Sequence, residues 1–361
     1  MQIILGLLFH ALGGFAAGSF YLPIRKVRGW SWETSWFVLG LAAWLVVPIT
    51  VALMTTPQPW QLLLAAPGAA LGWSFVFGLL WGIGGLTFGL SLRYLGIGLG
   101  MAVALGLCAA FGTLIPPVYE GRLGALLATP GGRQTLLGVV VCLAGIGLCG
   151  YAGKLKEAEQ DEASRRAAVA EFDLAKGAAV AFVSGLLSAC FAFALAASED
   201  LAVLAEAAGA APLFRNNLSL VVILLGGLVT NLGYCVLLFY RNDSFGELSP
   251  GTGEPPADVP TLAPASAPEK AGSTRVRNAV LSAAGGVTWY FQFFFYGMGA
   301  VYLGERYDFA SWTIHMAFII LFSTLWGLYL REWAGSSSRT IAWLVAGLVV
   351  LVGSTALIGL A

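Results

Sequence analysis

The chain has 361 residues, 58% of them hydrophobic and 11% charged, and its 19 basic side chains balance its 19 acidic ones. Soluble domains carry roughly 25% charged residues, so a water-soluble globule is excluded. With zero net charge and no extended basic run interleaved with aromatics, nucleic acid is excluded as a partner.

None of the charged residues lies within ten apolar stretches at 2–22, 34–54, 71–92, 96–118, 135–153, 177–198, 216–240, 279–300, 309–330 and 340–360. About 20 helical residues cross a hydrocarbon core of about 30 Å, so each stretch is long enough to span a bilayer. Backbone groups in lipid must be satisfied within their own segment, and without the alternation of barrel strands only helices fit. The expected fold is an all-α membrane protein with ten transmembrane helices. The cysteines, Cys108, Cys142, Cys149, Cys190 and Cys235, all fall within spans and read as small apolar packing residues.

In the first span, His10 shares a helical face with Gly14, Ala17 and Tyr21. It reads either as a proton site, since ionisable residues within a bilayer usually line pathways, or as a ring hydrogen-bonded to a neighbouring helix. The basic cluster Arg25, Lys26, Arg28 follows this span instead of preceding it, so the segment reads as a retained helix and not a cleaved signal. Tyr21 and Glu33 flank that cluster, and Glu33 is expected in an interfacial ion pair with it. Arg93, closing the third span, reads as a snorkelling anchor.

Residues 154–176 form a charged, helix-compatible connector, and 242–274, rich in Pro, Ser, Gly and Asp, are expected to be disordered. Between them the seventh span carries Asn231 and Tyr234 as polar candidates, with Asn216 and Asn217 at its start as interfacial or capping residues. The eighth span sets Trp289, Gln292 and Tyr296 on one face, next to Tyr290. A mid-span amide must find a partner or a ligand, and an amide between aromatic rings suits a sugar, whose hydroxyls want the amide and whose C–H faces stack on the rings. The bland alternative puts these aromatics in an interfacial belt. The ninth span opens with Asp308, Trp312 and His315 on one face, a proton route or else a cap and a packed imidazole.

Gly84-Gly85-Leu86-Thr87-Phe88 and Gly285-Gly286-Val287-Thr288-Trp289 are 201 residues apart, and Gly14 and Phe20 align with Gly185 and Phe191. These matches imply a duplicated five-span unit, residues 1–153 and 177–361, joined by the connector. Five is odd, so the halves would be inverted in the membrane, an arrangement that places transporter substrates between the repeats. Loops after odd-numbered spans hold 15 Lys and Arg against 4 in the others, which puts them in the cytoplasm and both termini in the periplasm. No P-loop, HExxH, metal-ligand spacing or catalytic cluster occurs, so neither enzyme nor ATP-driven pump is expected, and no cofactor.

The strings Tyr21-Leu-Pro-Ile-Arg-Lys-Val-Arg-Gly-Trp-Ser-Trp-Glu33-Thr34, Trp81-Gly-Ile-Gly84, Leu92-Arg-Tyr-Leu-Gly96, Trp289-Tyr-Phe-Gln-Phe-Phe-Phe-Tyr296 and Ser311-Trp-Thr-Ile-His315-Met316 resemble the L-rhamnose/proton symporter family. The resemblance implies the drug/metabolite transporter superfamily, ten helices in two inverted repeats, and uptake of L-rhamnose, or L-lyxose or L-mannose, with protons across the bacterial inner membrane. The loop 242–274 is longer and richer in proline than the family's, and 198–215 match it less well. On this reading Gln292, Trp289, Tyr290, Tyr296, Trp312 and Asn231 hold a small neutral sugar, while His10, His315 and Asp308 carry the proton. The competing expectations are a transporter of the same fold for another metabolite, and a non-transporting sensor or scaffold acting through 242–274.

Overall fold

A computed structural model describes residues 2–95, 97–119, 121–159, 173–248, 271–304 and 308–360. Ten long helices dominate it: α1 Gln2–Ser19, α2 Trp32–Thr55, α3 Gly68–Leu95, α4 Ile97–Tyr119, α5 Pro130–Glu159, α6 Leu174–Ala197, α7 Asn217–Asn242, α8 Ala271–Leu303, α9 Asp308–Tyr329 and α10 Ser338–Gly359. Eight segments of the described residues are long and apolar enough to cross a membrane. The other two long helices are α4, apolar over Val103–Tyr119, and the 33-residue α8, which packs among the rest.

Helix ends follow the sequence. Asp173 caps α6 by accepting from the Lys176 backbone N–H at 3.0 Å, and Ser337 caps α10 by accepting from that of Thr340 at 3.2 Å. Helix α5 runs beyond its apolar stretch to Glu159, whose carboxylate accepts from the Ser337 backbone N–H at 2.8 Å and the Thr340 hydroxyl at 2.6 Å. That contact fastens α5 to α10. Inside α2 the turns widen to π-helix over Ala42–Val46. Pro48 lies two residues beyond it; its ring displaces the carbonyl four residues back and it has no N–H to return, so the local ladder loosens by one residue.

The two halves exchange partners reciprocally. Helix α3 packs along α6 while α8 packs along α1; α4 also lies on α6, and α9 on α1. A Cβ added at Gly84 would lie 2.5 Å from the Ser188 nitrogen on α6, and one at Gly285 would lie 2.9 Å from the Phe20 oxygen beside α1. Where α4 meets α9, Thr113 and Thr313 share a hydroxyl hydrogen bond of 2.6 Å. Helices α5 and α10 pack together at the periphery, against α4 and α9.

Several expectations are corrected. The ends of the segment expected to be disordered are folded: Phe245–Leu248 form a 3-10 turn that buries Glu247, and α8 already begins at Ala271. Residues 249–270, most of the charged connector (160–172), and the side chains of Arg93 and Asp308 lie outside the described set, so the roles expected for those two residues rest on the sequence. Asn216 precedes α7 but makes no side-chain cap; Asn217 instead donates to the Thr55 hydroxyl at 2.9 Å.

Candidate functional site

A cavity of about 670 Å³ lies between the helices of the two halves. Its walls come from Phe20 and Tyr21, just past the end of α1, and from α2 to α4 and α6 to α9, and α5 and α10 contribute none of its lining residues. The cavity extends toward Tyr21, Trp32 and Leu90, the side of the bundle that carries Arg25, Lys26 and Arg28.

The wall supplied by α8 follows helical spacing. Trp289, Gln292, Phe293 and Tyr296 recur at i, i+3, i+4 and i+7, and all four line the cavity. The Gln292 amide is buried against this space and makes no hydrogen bond with the described residues. Tyr290 is the correction in this set. One residue on from Trp289, it is turned about 100° around the helix. Its fully buried ring packs against Phe291 and Phe294, away from the lining, and its hydroxyl has no partner among the described residues.

Helix α2 faces α8 with a tryptophan ladder. Trp32 stacks on Trp36 at 5.0 Å between centroids, Trp36 meets Trp289 at 5.2 Å, and Trp44, on the widened turn, meets Trp289 at 5.8 Å and Trp81 of α3 at 6.3 Å. The indole nitrogens of Trp44 and Trp289 are buried without an acceptor among the described residues. The Trp36 indole, by contrast, donates to Asn231 Oδ1 at 3.1 Å, and Asn231 Nδ2 donates to the Gly227 carbonyl at 2.9 Å. Asn231 thus lines the cavity with its amide already oriented by α2 and α7. Tyr21 and Tyr234 also line it.

Sequence reasoning missed Trp36, Trp44 and Trp81. Trp44 carried one usable signal: it lies in the middle of its span, away from the interfaces where tryptophan is ordinarily enriched.

Trp312 and His315 of α9 form the floor. The Trp312 indole donates to the Cys108 carbonyl at 3.1 Å and packs against Tyr296 at 5.7 Å. His315 lines the cavity, whereas His10 lies behind it, fully buried and outside the lining. Both imidazoles contact the Tyr296 ring, at 5.3 Å from His10 and 5.2 Å from His315. The structure therefore joins the two predicted proton residues to the predicted sugar face through one tyrosine.

Glu33 is not in the expected ion pair. Arg25 pairs with Glu332 at 2.6 Å, and Glu33 is buried, accepting from Asn242 Nδ2 at 2.9 Å and Ser244 Oγ at 2.7 Å. Nearby, Glu247 accepts from the Ser31 backbone N–H at 2.8 Å and from its hydroxyl at 3.1 Å. Burial pushes the Glu247 carboxyl above its ordinary range, hydrogen bonds from Thr34 and Ser31 oppose the shift, and the charge of Glu33 adds to it. These contacts tie the start of α2 to the chain leaving α7, beside the cavity mouth.

With apolar walls, aromatic faces, unpartnered indole donors and two amides, the cavity can hold a neutral, hydroxyl-bearing solute with an apolar face. Residues 1–361 match the family described as L-rhamnose-proton symport protein. The chain is 38% identical over 358 residues to the L-rhamnose-proton symporter of Yersinia pestis (strain Pestoides F), covering 99% of this chain and 98% of that protein. It is likewise 38% identical over 358 residues to the L-rhamnose-proton symporter of Cronobacter sakazakii, covering 99% and 97%.

Proposed function

The chain belongs to the L-rhamnose-proton symport family, and from that premise we propose that it carries L-rhamnose together with a proton across the bacterial inner membrane, holding the sugar in the aromatic cavity. The observation that carries the placement is the buried Gln292 amide, which faces the cavity with no hydrogen bond to the described protein. An amide left so costs a few kcal/mol unless a ligand or water satisfies it, and sugar hydroxyls both donate and accept.

The Trp44 and Trp289 indoles supply two further donors, and the rings of Trp289, Tyr296 and Trp312 offer faces to the sugar's C–H bonds and methyl group. His315, in contact with Tyr296, takes the proton, and His10 behind it forms the other half of the proton site. An imidazole can both accept and give up a proton, which suits a carrier that must load and release one in every cycle.

The ten-helix count and the inverted repeat belong to the same proposal. Their support is the reciprocal packing of α1 on α8 and α6 on α3, with equivalent glycines at both crossings. Transport then follows from rocking of one half against the other about the cavity. By the distribution of basic loops both termini are periplasmic and the cavity opens to the cytoplasm. One proton crossing 100 mV releases about 2.3 kcal/mol, enough for roughly fortyfold accumulation of a neutral sugar. The test is alkalinisation of a lightly buffered suspension of cells expressing the protein when L-rhamnose is added. No pH change alongside sugar uptake would overturn proton coupling, and no uptake would overturn the substrate.

A further inference from the structure

A second cavity, of about 530 Å³, lies on the other side of Trp312 and Tyr296. Among the described residues these two are the ones that line both chambers. The partition is one layer of side chains thick. On α4, Cys108 lines the inner chamber and accepts the Trp312 hydrogen bond, while Gly112, one turn on, lines the outer chamber. The missing side chain of Gly112 makes room for the indole, since a Cβ there would lie 2.4 Å from Trp312 Cδ1.

The outer chamber shares the aromatic pair with the inner one and adds a polar wall. Asn216 lines it, and its side-chain amide makes no hydrogen bond with the described residues. Next to it Arg215 is ion-paired with Glu199 and, through Nε at 3.4 Å, with Glu206. Arg122 completes the polar wall. Two basic and two acidic groups leave the chamber with no net charge, so it offers nothing to select an anion or a cation. Paired guanidinium and carboxylate groups do bind adjacent hydroxyls of a neutral polyol, and the aromatic pair forms the apolar floor.

We propose that the outer chamber is a second sugar site, in which a neutral sugar rests against the outer edges of Tyr296 and Trp312 with its hydroxyls on Asn216 and the Arg215–Glu199 pair. This inference rests on the sugar-transport reading of the inner cavity and goes beyond it. Both chambers exist in one conformation, so a single molecule holds two sugars. Parting of the Tyr296–Trp312 pair passes the outer sugar to the inner site.

The test is the stoichiometry of labelled L-rhamnose bound to the purified full-length protein in detergent, by equilibrium dialysis. The wild type should bind two per chain. Ala300→Phe fills only the outer chamber, because Ala300 lines that chamber and not the inner one, and it should bind one. Gln292→Ala should still bind two, with the inner one held about tenfold more weakly. Asn216→Ala, which adds no bulk, should weaken the remaining outer binding about fivefold, the effect of one lost hydrogen bond. One sugar per chain in the wild type, or an unchanged stoichiometry in Ala300→Phe, overturns the second site and leaves the transport reading intact. No L-rhamnose bound at all overturns the transport reading itself.

Discussion

The imidazoles of His10 and His315, the two histidines of the chain, lie 5.8 Å apart between ring centroids and are inclined at 61°. Both are buried, and neither His10 nitrogen nor His315 Nδ1 has a hydrogen-bond partner among the described residues. Unpaired nitrogens in such a place cost stability, so a proton, a water or a sugar hydroxyl must satisfy them during the cycle.

If this pair carries the coupled proton, His315→Gln should abolish sugar-evoked alkalinisation and reduce accumulation from roughly fortyfold at 100 mV to simple equilibration. Exchange of internal for external labelled sugar, which needs no net proton movement, should persist. His10→Gln should behave in the same way. Uphill accumulation retained in the double variant would remove the histidines from the coupling path.

The pair is held in place by two glycines. A Cβ at Gly299 would lie 2.9 Å from His10 Cδ2 and Nε2, and one at Gly13 would lie 2.8 Å from His315 Cε1 and 3.0 Å from the Gln292 carbonyl oxygen. Rigid rings and backbone cannot yield cheaply, so Gly13→Ala and Gly299→Ala should each cost about 1–3 kcal/mol of stability and lower transport. Gly72→Ala is the control, since no atom lies within 4 Å of its added Cβ. Thermal unfolding of the three variants in one detergent makes the comparison, and equal midpoints would contradict the tight packing.

Gln292→Ala removes the cavity-facing amide and should weaken L-rhamnose binding about tenfold, as the loss of two modest hydrogen bonds would. Trp44→Phe keeps a ring in the ladder and removes only the indole donor, so it should weaken binding about fivefold. Titration of the purified variants reads both. Affinity unchanged in Gln292→Ala would move the sugar away from α8.

How far the sequence reveals this site depends on where each residue's neighbours come from. Apolar runs determine the helices locally, and the spacing of Trp289, Gln292 and Tyr296 places them on one face of α8 before any tertiary contact is known. Trp36 and Trp81 were not legible as site residues, because a tryptophan facing a cavity and one facing lipid have the same local pattern, and only packing against α8 distinguishes them; Trp44 alone carried a signal, its place in the middle of its span. Tyr290 fails in the opposite sense, since adjacency to Trp289 carries it off the shared face. Glu33 was misread because Asn242 and Ser244, its partners, lie more than 200 residues away in a stretch whose composition suggests no structure.

The neighbouring carboxyl of Glu247 makes stability depend on pH. Burial raises the Glu247 carboxyl above its ordinary range, so between its unfolded and folded values the folded protein binds more protons than the unfolded chain. Stability contributed at this position therefore falls as pH rises from about 4.3 through the folded value, and the loss is complete above it. Glu247→Gln removes the charge and retains an oxygen to accept from the Ser31 backbone N–H. The variant should unfold about 2 °C above the wild type at neutral pH, with the difference closing as pH falls toward 4. Glu33, which faces Glu247 and adds to its shift, should give the same sign when replaced by Gln, offset by weaker bonds to Asn242 and Ser244. Thermal midpoints of wild type and Glu247→Gln across this pH range decide the matter, and a difference that does not narrow on acidification would mean that Glu247 is not the titrating group.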